Sequence, residues 1–266
     1  MLNKSRDLAY LMVIASLLLA AGMYLFVNKS VNQELFFAVN SLTVNSIVWL
    51  VLSNIGDKLF VGCLLFIVFR RSTEILGKCL VAGLFVHLSV RVLKNTIKEC
   101  RPGNTEGIAS TGNFLGTPLE LTNYAMPSGH ASTIFMALGV IYLHRDFFAA
   151  VKTRYALILG VCCLSILSNI SRLAVGAHWP ADVFAGSALG IAIACSVNSI
   201  KFSSYTAAII VNILYVPFAL ASVFTLNAVS SIETLIANGV VAVFGFIAGC
   251  LMVKNFMGLG SKRREL

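Results

Sequence analysis

Long apolar runs dominate this chain, and only short polar segments separate one run from the next. A helix needs about 20 apolar residues to cross the hydrocarbon layer of a bilayer, so this pattern predicts several membrane-spanning helices. The eight runs that we interpret as spans are Leu8–Val27, Leu59–Phe69, Leu76–Leu93, Ala131–Leu143, Tyr155–Ile170, Val183–Val197, Thr206–Leu226 and Leu235–Val253.

Three segments near the N-terminus need separate interpretation. The first run is expected to be a membrane anchor, because it is too long for the apolar core of a signal peptide and no small-residue cleavage site follows it. Leu59–Phe69 is too short to cross a bilayer alone, so we expect Ile47–Ile55 to complete it, with Asp57 and Lys58 near the membrane surface. The segment Glu34–Leu42 is predicted to be a short interfacial helix.

The composition supports a membrane protein. Hydrophobic residues make up 58% of the 266 residues and charged residues only 12%, whereas soluble domains have about 45–50% and about 25%. So few charges cannot cover a water-facing surface, and so much apolar character excludes a disordered chain. The predicted fold is all-α, a polytopic membrane helical bundle, and the absence of repeats or linkers indicates a single integral membrane domain over residues 1–266. The oligomeric state stays open.

The distribution of basic residues predicts the orientation in the membrane. The net charge is +9, from 20 Lys and Arg against 11 Asp and Glu. In a soluble protein this excess would point to nucleic acid, but here the basic residues are spread over short connections, so no nucleic acid partner is expected. Thirteen of the 20 fall on the side of both termini and seven on the other, which predicts cytoplasmic termini. The thirteen are Lys4, Arg6, Arg70, Arg71, Lys78, Arg145, Lys152, Arg154, Lys201, Lys254, Lys262, Arg263 and Arg264.

The first of three polar motifs on the outer side follows the third span. Lys94 and Arg101 are seven positions apart, so a helix would place them on nearly one face, and Pro102 would end that helix. Two cations at a membrane surface suit an anionic headgroup. Nonspecific contact with lipid phosphates is the alternative that this motif alone leaves open.

The second motif is Pro127-Ser128-Gly129-His130, at the start of the fourth span. Ser128 is a favourable N-cap, and Gly129 lets a ligand approach the backbone closely. Free N–H groups and the positive end of the helix dipole bind phosphate at such a position. His130 in the first turn could donate a proton to a leaving oxygen. A capped helix with a polar interfacial histidine remains the alternative.

The third motif lies between the fifth and sixth spans and contains Ser171, Arg172, His178, Pro180 and Asp182. Pro180 indicates the start of a helix, and Asp182 in its first turn can hold one ring nitrogen of His178, which makes the other nitrogen a better nucleophile. Arg172 offers a planar fork for two phosphoryl oxygens. Cations nearby lower the pKa of His178 while Asp182 raises it, and the sequence leaves that balance open.

Together the motifs resemble the three-part signature of the type-2 phosphatidic acid phosphatase superfamily, namely Lys-six-Arg-Pro, Pro-Ser-Gly-His and Ser-Arg-five-His-three-Asp. That superfamily includes lipid phosphate phosphatases, undecaprenyl pyrophosphate, phosphatidylglycerophosphate and lipid A phosphatases, and vanadium haloperoxidases. The signature covers Lys94 to Asp182, and every key position matches. The resemblance implies a catalytic core of six spans over about residues 55–200, so the two C-terminal spans, at about residues 203–254, would be an addition.

The resemblance also implies a role for each motif residue. His178 would attack phosphorus and form a phosphohistidine, with Asp182 orienting it, while His130 would protonate the leaving oxygen and then activate water. The phosphoryl oxygens would be held by Lys94, Arg101, Ser128, Gly129 and Arg172. No metal ion and no other cofactor is expected, because three cations would supply the charge stabilisation.

The sequence therefore predicts a phosphatase acting on a membrane lipid phosphate at the periplasmic face of an inner membrane. The candidate substrates are undecaprenyl pyrophosphate, phosphatidylglycerophosphate or phosphatidic acid, and lipid A. Two alternatives stay open: a phosphotransferase that passes the group to a second lipid, and a non-enzymatic transporter of anionic lipids. Gly186 and Gly190 indicate close helix packing, and His87 is expected to be a packing residue, with lining of the pocket as the alternative.

Overall fold

The computed structural model describes residues 4–41, 47–108, 110–115, 124–148, 150–201, 205–225 and 232–262, and within these ranges it is helical with no strand. The prediction of an all-α fold is confirmed. The predicted positions Leu42, Leu226, Arg263 and Arg264 lie outside the described residues. The helices are α1 (Lys4–Val27), α2 (Lys29–Asn40), α3 (Ile47–Ile55), α4 (Lys58–Phe69), α5 (Thr73–Ile97), α6 (Gly129–Leu143), α7 (Val151–Ala174), α8 (Pro180–Val197), α9 (Tyr205–Phe224) and α10 (Ile232–Lys262).

Each of the eight predicted runs corresponds to one of these helices, and the run Thr206–Leu226 does so over its described part, up to Phe224. Among the described residues, α1, α5, α7, α8 and α10 are long and apolar enough to cross a membrane, and the bent pair of α3 and α4 makes up to six. The remaining two runs correspond to α6, which has 15 residues, and to α9, whose apolar part Ile213–Phe224 is also short. The chain is a multi-pass membrane protein.

Ile47–Ile55 and Leu59–Phe69, which we expected to contribute to one span, are two separate helices in the structure. The helices α3 and α4 meet at an angle of 60°. Asp57 ends the continuity because its carboxylate caps the new helix, accepting a hydrogen bond from the N–H of Leu59 at 2.7 Å. Gly56 allows a close approach at the break, since a methyl group there would lie 2.7 Å from Ser168 Oγ and 3.1 Å from His130 Cβ. The break therefore lies against the first turn of α6.

Close packing of α6 on α8 forms the centre of the bundle. A methyl group on Gly186 would lie 2.5 Å from the carbonyl oxygen of Ser128, and one on Gly190 would overlap the carbonyl oxygen of Ser132. The close packing expected at Gly186 and Gly190 thus occurs between two helices of the same chain. On the other side of α8, α1 packs closely at Gly22. A methyl group on Gly22 would lie 3.0 Å from the backbone N atom of Ala185.

The second helix starts five residues earlier than predicted for Glu34–Leu42, after a single residue, Asn28. The N–H of Asn28 donates to the carbonyl oxygen of Tyr24 at 2.9 Å, and that of Asn32 donates to the carbonyl oxygen of Asn28 at 3.0 Å, so helical bonding nearly continues across the break. Its buried face carries Asn32, Phe36 and Asn40 at a spacing of four residues. The side-chain oxygen of Asn32 accepts a hydrogen bond from the N–H of Ala181 at 3.0 Å. The ring of Phe36 packs edge-on against that of Trp179, with centroids 5.1 Å apart. This face therefore supports the connection between α7 and α8.

Asn40 fixes the end of α7. Its side-chain NH₂ donates to the carbonyl oxygens of Leu173 and Ala174, both at 3.1 Å, and to that of Asn113 at 2.8 Å. Its side-chain oxygen accepts from the N–H of Asn113 at 2.7 Å. One buried amide thus satisfies carbonyl groups that a helix end leaves unpaired.

Ion pairs lie at both ends of the bundle: Lys29 pairs with Glu99 at 2.6 Å beside the first motif, and further pairs lie at the opposite end. Asp7 at the start of α1 pairs with Arg145 after α6 at 2.7 Å, and Lys78 pairs with Glu74 in the first part of α5 at 2.9 Å. The C-terminal helix reaches the same end, where the Asn255 side chain donates to the carbonyl oxygen of Arg70 at 3.1 Å.

We predict that Asn40→Ala loosens the connection between α7 and α8. The substitution removes a buried amide that donates to three carbonyl oxygens and accepts from the N–H of Asn113, which costs about 1–3 kcal/mol. Thermal unfolding in detergent should occur at lower temperature, and the backbone amides of residues 175–178 should exchange hydrogen faster. The matched control is Asn255→Ala, which removes one amide-to-carbonyl bond at the opposite end and should leave exchange at 175–178 unchanged. Equal exchange in the two variants would contradict the role assigned to Asn40.

Candidate active site

The first motif does not form one helical face as predicted. The helix α5 ends at Ile97, because Lys98 adopts the left-handed conformation with φ 55°. Lys94 is in the last turn, where its ammonium donates to the carbonyl oxygen of Tyr124 at 2.6 Å. Arg101 follows the helix, is buried, and donates to the carbonyl oxygen of Ala177 at 2.8 Å. Pro102 begins a short 3₁₀ turn instead of ending α5.

The second motif forms the capped helix start that the sequence predicts. Ser128 is buried and caps α6, its hydroxyl accepting from the N–H of Ala131 at 3.4 Å. The N–H of Ser128 donates to the carbonyl oxygen of Asp182 at 2.9 Å, which ties this motif to the third. At Gly129, a methyl group would meet only Val90 Cγ1, at 3.7 Å. Packing against the protein therefore does not demand glycine at that position.

His130 lies one residue further, in the first turn of α6. Its side chain is 29% exposed, and its Nε2 atom lies 3.9 Å from Oδ2 of Asp57. Asp57 comes from the break between α3 and α4, so a carboxylate outside the three motifs faces this imidazole. The sequence analysis placed Asp57 at the membrane surface without giving it a role.

The third motif brings His178 and Asp182 into direct contact. The Nδ1 atom of His178 lies 3.3 Å from Oδ2 of Asp182, and the same oxygen accepts from the backbone N–H of Trp179 at 2.8 Å. The imidazole is 1% exposed and the carboxylate is fully buried. This contact assigns the proton of the neutral ring to Nδ1 and leaves the lone pair on Nε2.

The surroundings favour a neutral His178. Burial holds the pKa of His178 well below its ordinary range, and the positive charges of Arg101, Arg172 and Lys94 lower that pKa further. Lys94 from α5, Arg101 from the segment after α5 and Arg172 from α7 thus all lie close enough to act on the imidazole of His178. Because a lowered pKa favours the uncharged ring, Nε2 keeps its lone pair at neutral pH.

Arg172 is a buried cation with an unusual environment. It is 9% exposed, its guanidinium donates to the hydroxyl of Ser53, and within the described ranges no carboxylate lies within ion-pair distance of it and Nε has no partner. Arg145, at the other end of the bundle, is equally buried but has Asp7 at 2.7 Å. A buried charge is normally compensated, so Arg172 is suited to receive an anion.

The sequence analysis missed the contribution of two further regions. Ser53 comes from the last turn of α3 and Asp57 from the break between α3 and α4. Their one visible signal in the sequence is an ionisable residue between two apolar runs. The supporting face of α2 carries Asn32, Phe36 and Asn40. In the sequence, this face is indicated by the four-residue spacing of these three side chains, in a segment whose other features are those of an interfacial helix.

The eight predicted site residues therefore meet at one end of the bundle, joined by contacts between motifs. Arg101 reaches the third motif through Ala177, and the indole N–H of Trp179 donates to the carbonyl oxygen of Cys100 at 2.8 Å. The arrangement offers a neutral imidazole nitrogen, a second imidazole and three cations. In the part of the chain that the structure describes, no group of three His, Cys, Asp or Glu side chains is placed to hold a metal ion.

Known proteins match this chain in both sequence and fold. Residues 75–206 match the model of the PAP2 superfamily. An undecaprenyl-diphosphatase of Sulfolobus acidocaldarius is 32% identical over 127 residues, which are 47% of this chain and 55% of the relative, so the match spans little more than half of that protein.

A solved structure shows the same fold. The crystal structure of a transmembrane PAP2-type phosphatidylglycerolphosphate phosphatase from Bacillus subtilis aligns with a TM-score of 0.52 at 20% identity, over 74% of this chain and 94% of that one. The resemblance inferred from the three motifs is confirmed: the segment from residue 75 to residue 206, which contains all of them, matches the PAP2 superfamily.

Proposed function

We propose that this chain is a membrane lipid phosphatase that cleaves a phosphomonoester or diphosphate of a lipid through a phosphohistidine intermediate, at the periplasmic face. The observation that carries the proposal is the buried guanidinium of Arg172, which among the described residues has no carboxylate within ion-pair distance and whose Nε has no partner, next to the neutral imidazole of His178. An anionic phosphoryl group would neutralise the former and be attacked by the latter. The related undecaprenyl-diphosphatase makes a lipid diphosphate the first substrate to test.

In the first step, the Nε2 lone pair of His178 forms a bond to phosphorus while the bond from phosphorus to the leaving oxygen breaks. Asp182 holds the Nδ1 proton and stabilises the positive charge that develops on the ring. His130 supplies a proton to the leaving oxygen. The carboxylate of Asp57, 3.9 Å from Nε2 of His130, opposes the burial and the positive charges that lower the pKa of this imidazole. Lys94, Arg101 and Arg172 stabilise the charge on the equatorial oxygens.

In the second step, a water molecule attacks the phosphohistidine. His130, now neutral, takes a proton from that water, and the bond between phosphorus and Nε2 breaks as phosphate forms. The ring of His178 returns to its neutral state, with its proton on Nδ1. Transfer to a lipid hydroxyl instead of water would follow the same course, which is the phosphotransferase alternative.

The proposed membrane side follows from the two ends of the bundle. Lys94, His130, Arg172 and His178 lie at one end, whereas the ion pairs of Asp7 with Arg145 and of Glu74 with Lys78 lie at the other. The second end also carries the larger number of basic residues, which favours the cytoplasm. The site would then face the periplasm.

We predict that His178→Ala lowers phosphate release by about a thousandfold or more, because it removes the nucleophile. The assay is release of inorganic phosphate from undecaprenyl diphosphate by purified protein in detergent. His144→Ala is the matched control, since His144 lies at the opposite end of α6 near Lys78 and should keep its activity. Radiolabelled substrate should also leave an acid-labile, base-stable label on wild-type protein and none on His178→Ala.

Full activity of His178→Ala would overturn the proposal. Label that accumulates in lipid and not as free phosphate would assign the site to a phosphotransferase. Anion flux in liposomes that survives in His178→Ala, with no phosphate release by the wild type, would favour the transporter.

We predict that Asp57→Asn lowers kcat about tenfold or more and moves the alkaline limb of the rate profile to lower pH. Asparagine keeps the N-cap of α4, so the helix start should persist. Burial and the nearby positive charges already hold the pKa of His130 below its ordinary range, and loss of the negative charge of Asp57 would lower that pKa further. Asp146→Asn, which breaks a pair with Arg154 at the other end, should leave the profile unchanged. An unshifted profile in Asp57→Asn would show that Asp57 serves as a helix cap alone.

We predict that Cys100 is labelled by a membrane-impermeant maleimide in intact spheroplasts. Cys100 is exposed in the segment that holds Arg101, so it reports the side of the site. Cys100→Ser should abolish this labelling. In that background Asp146→Cys, at the other end, should react only after permeabilisation. The reverse pattern would place the site in the cytoplasm.

A further inference from the structure

An apolar groove leads from the site into the membrane-spanning part of the bundle. Its volume is about 720 Å³, and its outer end is formed by Asp57, Lys58, Gly129 and His130. From there it is walled by apolar residues of α4, α5 and α6, and His87 of α5 also lines it. A ligand whose phosphoryl group sits at His130 would thus have an apolar path directly beneath it.

The depth of the groove can be read from the helices that line it. Along α5 the lining runs from Val90 to Cys79, and along α6 from Gly129 to Met136. At 1.5 Å per residue these stretches span about 16 Å and about 10 Å. The hydrocarbon layer of a bilayer is about 30 Å thick. The groove therefore covers about the half of the layer that adjoins the site.

The inner end of the groove is formed by α9. Leu214, Tyr215 and Phe218 line it, and these residues follow the segment that matches the PAP2 superfamily. Tyr215 is 1% exposed, and its hydroxyl donates to the carbonyl oxygen of Leu76 at 3.4 Å. Phe218 packs against α4 at Gly62, where a methyl group would lie 2.6 Å from the ring. This wall is fixed to two other helices and is specific to the C-terminal part of this chain.

We infer that the groove binds the single isoprenoid chain of a polyprenyl diphosphate and that α9 is the wall that limits how much of the chain is enclosed. The inference rests on the proposed function. A groove of this volume is in the range of pockets that enclose one ligand, about 300–1,000 Å³, and it is continuous with His130. It receives the chain portion next to the phosphate, and the rest of a long chain extends into the bilayer.

Gly83 allows the groove to be filled without disturbing the protein. It lines the groove, and a methyl group on it would meet nothing within 4 Å. Gly83→Leu should therefore place apolar atoms in the space of the chain. Gly160 of α7 has the same open surroundings but does not line the groove, so Gly160→Leu is the matched control for adding leucine to an exposed helix position.

The experiment compares kcat/KM for farnesyl diphosphate with kcat/KM for dimethylallyl diphosphate, which carry the same headgroup on a long and a short chain. Wild type and Gly160→Leu should prefer farnesyl diphosphate to the same extent. In Gly83→Leu this preference should fall at least about tenfold, through KM. Phe218→Ala, which opens the wall formed by α9, should raise kcat/KM for geranylgeranyl diphosphate relative to farnesyl diphosphate.

Several outcomes would overturn the inference. An unchanged preference for farnesyl diphosphate in Gly83→Leu would show that the chain binds elsewhere. An unchanged ratio of kcat/KM for geranylgeranyl and farnesyl diphosphate in Phe218→Ala would show that α9 does not limit the enclosed chain. Hydrolysis of a diacyl phosphatidic acid that exceeds that of farnesyl diphosphate, and that Gly83→Leu reduces equally, would assign the groove to a two-chain lipid. Release of phosphate from dimethylallyl diphosphate with no chain preference would refute this inference alone. No release from any of these lipids would refute the proposed function.

Discussion

The contact between the first turns of α6 and α8 is the constraint on which the site depends. The N–H of Ser128 donates to the carbonyl oxygen of Asp182 at 2.9 Å, and Gly186 leaves no room for a side chain between the two helices. The carboxylate of the same aspartate lies 3.3 Å from Nδ1 of His178. One residue thus fixes the separation of the helices and the orientation of the proposed nucleophile. A reacting constellation has to be held within about 0.5 Å, and rigid helices achieve this better than loops.

Each end of the bundle contains a buried arginine, and the two arginines have different partners. Arg145 is compensated by Asp7, whereas among the described residues Arg172 has a hydroxyl partner, Ser53, in place of a carboxylate. An uncompensated buried charge is costly to the folded protein, so the arrangement gains free energy when an anion arrives. The same cations keep His178 neutral. Binding of the anion and activation of the imidazole therefore depend on one charge distribution, and the sequence could not reveal its balance because it is set by burial.

Local spacing explains what could be predicted from the sequence. The cap at Ser128 and the contact of His178 with Asp182 each lie within four residues, so helix geometry alone specifies them. Contacts across long separations were missed: Asn40 reaches Leu173, and Ser53 reaches Arg172. The predicted common face of Lys94 and Arg101 was wrong because Lys98 ends α5 with a left-handed turn, a choice that the surrounding contacts decide. The break at Gly56 was missed for a similar reason, since apolar residues continue on both sides of it.

The catalytic motifs can be recognised in the sequence whereas the apolar groove cannot, and this difference has a physical basis. Phosphoryl chemistry requires a fixed set of charges and imidazoles, so these residues form recognisable patterns at fixed spacing. A hydrocarbon chain needs only an apolar surface of the right shape, and leucine, valine and phenylalanine provide such a surface in any span. The shape here depends on a pair such as Gly62 and Phe218, which are brought together from α4 and α9 and which carry no signature in the sequence. Selection of the lipid chain therefore has to be read from the packing of helices, and the part of the chain beyond residue 206 contributes directly to it.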